Sequence, residues 1–81
     1  MNDLKRYEHS VAWHTETLPL LREALWNLRT AHDSCPIGPE TKKLAVAVQA
    51  AHRAVRECER NLAVARRLAT KERERQERAS A

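Results

Sequence analysis

The chain has 81 residues and a mass of 9.3 kDa, with one glycine, three prolines and no phenylalanine. That length allows one small domain with a modest core, and so few turn residues exclude an all-β chain, which needs them every ~8–12 positions. Fifteen Lys+Arg against eleven Asp+Glu give a net charge of +4 and a basic pI near 9.6; residues 39–81 carry the surplus at +5, against −1 for residues 1–38.

A first helix is expected over about 3–33, capped by Asn2 or Asp3. Along it Leu4, Tyr7, Val11, His14, Leu18, Leu21, Leu25, Leu28 and His32 alternate spacings of three and four, an a/d heptad through four repeats. Pro19 falls on an outer b position of that pattern. Proline inside a helix loses a hydrogen bond and costs ~3 kcal/mol, so a kink is expected there, or a break near Thr17 with Pro19 restarting the helix. Residues 34–39 supply the connecting loop, because Asp33-Ser-Cys-Pro-Ile-Gly-Pro39 is the one cluster of turn residues in the chain.

The second helix is expected from about residue 40, with Pro39 suited to its first turn. Leu44, Val48, Ala51, Val55, Cys58, Leu62, Ala65 and Ala69 repeat the same alternation. Folding back at the loop pairs Leu25 with Ala51, Leu21 with Val55 and Leu18 with Cys58, and brings His14 near Leu62. The fold class expected is therefore all-α, an antiparallel coiled-coil-like helical hairpin over residues 1–70. Residues 71–81 form a charged helical extension held by i,i+4 pairs, ending in a disordered tail at Ala79–Ala81.

A two-helix protein has one seam, and burial at ~25 cal/mol per Å² there scarcely offsets ~1.5 kcal/mol of ordering entropy per residue. Completion by dimerisation into a four-helix bundle, or by a partner, is expected. Trp13, Leu20, Ala24 and Ala31 form a second stripe on the first helix, roughly opposite the seam at 100° per residue. Trp26 flanks the seam. Trp13, Leu20 and Trp26 are the candidate anchors for a protein partner, with Arg53, Arg56, Arg60 and Arg67 on the second helix setting orientation and on-rate.

Chemistry at a catalytic or metal centre has little support in the sequence. Catalysis needs a preorganised pocket, which so short a chain hardly folds by itself, so no enzyme activity and no cofactor are expected. His9 and His14 are five apart and do not align on one helix face; His32 and His52 meet neither, and no metal site is expected. His14 and His32 read as polar seam residues that fix register. Cys58 reads as a small buried seam residue, and it lies ~27 Å along the second helix from Glu40, which excludes a bond to Cys35 in the loop.

The function expected is a small non-enzymatic interaction module, a regulator, inhibitor or adaptor docking on a larger protein through helix faces, with homodimer formation. A self-assembling structural bundle is one alternative. A nucleic-acid binder using the basic C-terminal helix is the other, weakened by interleaved Glu57, Glu59, Glu72, Glu74 and Glu77 and by the lack of aromatic residues among the arginines. With charged residues throughout the first fifteen positions no signal peptide is expected, and no apolar run approaches the ~18 residues of a membrane span. A cytoplasmic location is the corresponding expectation.

Overall fold

A computed structural model describes residues 3–80 as two helices, α1 (Asp3–Ser34) and α2 (Pro39–Ser80), joined by a four-residue loop and packed along their length. The connection is too short for anything but an antiparallel arrangement, and the outcome is an all-helical hairpin. Its extents of 65 × 17 × 15 Å match a rod one helix thick and two helices wide. The radius of gyration is 18.5 Å, whereas a compact domain of this length has about 12 Å.

Both ends of the loop carry local reasons for stopping and starting a helix. At the end of α1, Ser34 Oγ donates to the Thr30 carbonyl at 2.8 Å and the Cys35 amide donates to the His32 carbonyl at 3.3 Å, so the last turn satisfies part of its own carbonyl row. Pro36 then supplies no amide to continue it. At the start of α2, Gly38 caps the helix with Pro39 as its first residue. The Thr41 amide donates to the Gly38 carbonyl and Thr41 Oγ1 accepts from the Gly38 amide, both at 3.2 Å. The second of these is one half of a capping box, with threonine in place of the usual acid; Gly38 has no side chain to supply the other half, and the Thr41 amide is met by its backbone carbonyl instead. Gly38 does not have a positive φ, so its role is not that of a left-handed turn residue.

Two boundaries depart from sequence expectation. The break expected between Thr17 and Pro19 is absent, and α1 runs as one helix through Pro19. The physical reason is position: Pro19 and Thr15 both face outward, so the Thr15 carbonyl that proline leaves without an amide stands where solvent can hydrogen-bond it. Leu18, Leu21 and Leu25, pinned against α2, hold the helix on either side of it. At the other end α2 continues to Ser80, through Ala79, where disorder was expected. The capping role considered for Asn2 and the disorder considered for Ala81 lie outside the described residues.

The core follows the two heptads. Leu18 and Leu25 of α1 and Val55, Cys58, Leu62, Ala65 and Ala69 of α2 are buried, and Val11, Leu21, Val48 and Ala51 pack against them half-covered. Cys58 Sγ reaches across the seam to the His14 carbonyl at 3.6 Å, a weak sulfur contact that marks the relative height at which the apolar residues pack. Among the described residues no side chain has less than 2 % of its surface exposed. One seam between two rods leaves every core residue touching its edge.

Candidate protein-docking faces

The seam has two flanks, and they differ in chemistry. On one flank, the e positions of both heptads meet. Arg22 pairs with Glu59 at 3.6 Å and Arg73 with Glu8 at 3.4 Å, the two ion pairs between helices among the described residues. Both are half exposed, so each contributes at most about 1 kcal/mol. They close this flank with charge that water can still reach.

The opposite flank is formed by g and c positions and carries no interhelical ion pair among the described residues. One groove on it is lined by Trp13, His14 and Leu21 of α1 with Ala54, Cys58 and Asn61 of α2. A second, nearer the chain termini, is lined by Tyr7 and Ser10 of α1 with Asn61, Val64, Ala65 and Leu68 of α2, and Lys5, Arg6 and His9 border it on the α1 side. Helix positions seven apart share a face. Ser10 and Thr17 therefore lead to Ala24 and Ala31, Trp13 leads to Leu20, and Asn61 and Ala54 lead back to Ala47. The result is a face to which both helices contribute. Leu20 is 66 % exposed, Trp13 54 %, Val64 46 % and Leu68 38 %.

This geometry revises the placement of Trp13. Its indole does not stand opposite the seam; it borders a groove shared with α2, because position 13 is about 100° of helix rotation from His14, not 180°. The ring meets the His14 imidazole edge to face, with centroids 4.9 Å apart at 83°. The imidazole is itself oriented, since its Nδ1 lies 2.7 Å from the Ser10 carbonyl one turn back. Donation along that line assigns the proton to Nδ1.

Trp26 and the arginines belong elsewhere. Trp26, 69 % exposed, takes a b position and so turns toward the ion-paired flank, away from Trp13. On that side Arg29, Val48, Gln49, His52 and Arg53 line a shallow groove between the helices. Arg53, Arg56 and Arg60 gather on the outer surface of α2 with Glu57 and Glu59. Arg67 lies on the same face as Arg60, ~10 Å further along, and all four arginines are exposed. The seven residues singled out from sequence thus do not form one surface: Trp13 and Leu20 share the apolar flank, Trp26 points from α1 toward the ion-paired flank, and the arginines lie on the outer surface of α2.

Val64 and Leu68 were not among those seven. They extend the apolar face on α2, and their signal was the two rows one position before the seam residues: Ala47, Ala54, Asn61, Leu68 and Ala50, Glu57, Val64. Exposed Val46 and Ile37 also escaped notice, the first on the back of α2 and the second in the loop.

Among the described residues no three His, Cys, Asp or Glu side chains come together as metal ligands would, and no helix is long and apolar enough to cross a membrane. Cys35 and Cys58 are both free thiols. No protein-family model matches the chain, and no curated protein or solved structure shows significant similarity to it.

Proposed function

We propose that this chain is a small non-enzymatic interaction module, a regulator or adaptor whose hairpin is completed by helices of another polypeptide on its apolar flank. The carrying observation is surface. The hairpin exposes 6435 Å², whereas a compact monomer of its mass exposes about 5,000 Å². The excess of roughly 1,500 Å² exceeds the ~800 Å² that each partner contributes to a standard interface. The apolar flank gives that excess a location, and packing a second helical layer there produces a four-helix bundle.

Trp26 with Arg53, Arg56, Arg60 and Arg67 is the surface left outward by such a bundle. It suits a larger protein with an acidic face, the aromatic supplying contact area and the arginines steering approach.

The test is whether the hairpin is self-sufficient. Thermal unfolding is followed by circular dichroism over a hundredfold range of chain concentration. A Tm that rises with concentration, or a chain that gains its helix only when a binding protein is added, supports the reading. A monomer with a high, concentration-independent Tm overturns it.

A further inference from the structure

The apolar face is graded in size along its length. At 1.5 Å per residue from the loop, Ala31, Ala47, Ala50 and Ala24 lie within about 10–20 Å, while Trp13, Val64 and Leu68 lie about 35–45 Å away. Leu20 falls between them, at about 25 Å. One half of the face is bulky; the other is lower, its alanines accompanied by Asn27 in the Trp13–Leu20 row and edged by Lys43 in the Val64 row. A face of this kind does not fit itself when two hairpins stack with their loops at the same end. Bulk then meets bulk, the alanines face each other across a gap, and protein interiors tolerate neither overpacking nor voids.

The geometry points to a second copy of this chain as the occupant of the apolar face, stacked about a two-fold axis near Leu20 with the two loops at opposite ends. In that arrangement α1 packs on the second copy's α1 and α2 on its α2, each antiparallel. Trp13 settles between the second copy's Ala24 and Ala31, against Asn27, and Val64 over its Ala47, with Leu68 about a turn nearer the second copy's loop. The contact is isologous and closes after two chains. It rests on the interaction reading above and names the partner. Glu57 is the one acidic residue among those lining the Trp13 groove, and it falls close to the proposed axis. It also belongs to the arginine cluster on the outer surface of α2, so its carboxylate sits at the rim, where it faces its own copy across solvent.

The loop supplies a natural ruler. In a Cys58→Ala chain, Cys35 is the sole thiol, and a spin label there reports the distance between loops. Light scattering should show a dimer, and electron-electron resonance should give label separations of about 45 Å. Ala24→Glu, at a position exposed in the single hairpin, should weaken dimerisation by about 100-fold or more, because each complex would bury two unpaired carboxylates. Ala63→Glu, exposed on the other flank, should leave it unchanged, and Glu57→Gln should tighten it several-fold.

Label separations below about 20 Å would place the loops together and overturn the arrangement. A dimer indifferent to Ala24→Glu would overturn the face. A chain that stays monomeric at high concentration and is helical only with a different protein bound would exclude the second copy while leaving the interaction reading standing. A self-sufficient monomer would end both.

Discussion

Leu20 and Leu25 form a matched pair for deciding whether the apolar face is covered. Both are leucines on α1, five residues apart, but Leu25 is 8 % exposed and Leu20 66 %. Truncating Leu25 to alanine removes methyl groups already packed on α2, and should cost about 2–5 kcal/mol whatever else is bound. For Leu20 the cost depends on the second layer. Complete burial of a leucine side chain is worth about 1.5–3 kcal/mol, so covering the remaining two thirds of Leu20 is worth about 1–2 kcal/mol per chain. The slightly better helix propensity of alanine offsets only a small part of this. In an isolated hairpin the same substitution should change stability by no more than about 0.5 kcal/mol. Urea unfolding of the two variants and wild type, at two concentrations a hundredfold apart, measures both numbers. Leu20→Ala should lose 1–2 kcal/mol per chain, and its urea midpoint, like that of wild type, should rise with chain concentration. An indistinguishable Leu20→Ala in a chain shown to be dimeric would refute the assignment of this face.

Pro19→Ala restores the amide that the Thr15 carbonyl lacks, and should stabilise the chain by about 1–3 kcal/mol. Since α1 is already continuous through residue 19, the far-ultraviolet circular dichroism should hardly change; a large gain in helicity would mean that the helix is broken in solution. Gly38→Ala should be neutral or stabilising by about 0.4–1 kcal/mol through the unfolded chain. The φ at Gly38 is not positive, and an added Cβ would meet only the Glu40 carboxylate at 3.4 Å and the Pro36 carbonyl at 3.9 Å; a loss above 1 kcal/mol in urea unfolding would contradict this. The Arg75 guanidinium, hydrogen-bonded to Glu72 at 3.0 Å, holds that carboxyl below its ordinary value of 4.5. The pair's contribution to the C-terminal turns of α2 is therefore complete above pH 4.5 and disappears as pH falls through the lowered value. Carbon-detected NMR titration of Glu72 should show the shift, and Arg75→Gln should abolish it.

Periodicity alone carried the hairpin. The alternating three-and-four spacing of apolar residues on both helices leaves one antiparallel register with Leu18 near Cys58, and the buried set follows it from Leu18 to Ala69. Of the kink or break expected at Pro19, the break is absent, because the cost of proline is not borne by the backbone alone. Its outward b position lets water serve the Thr15 carbonyl, and packing on the inner side holds the rest. The docking face was half legible for a different reason. Trp13 and Leu20 are conspicuous on α1, but their counterparts on α2 are alanines, an asparagine and two aliphatic residues interrupted by Glu57, a pattern with little contrast until the helices are laid side by side. Once they are, seven of the chain's thirteen alanines separate into two duties that composition could not distinguish. Those on the seam, Ala51, Ala65 and Ala69, bring the two rods close together. Those on the flank, Ala24, Ala31, Ala47 and Ala50, leave a shallow trough of the size that Trp13, Val64 and Leu68 would fill from the other direction. Replacing a flank alanine by leucine should thus weaken self-association through overpacking while leaving the single hairpin intact, whereas the same change at Ala65 or Ala69 should unseat α1 from α2 directly.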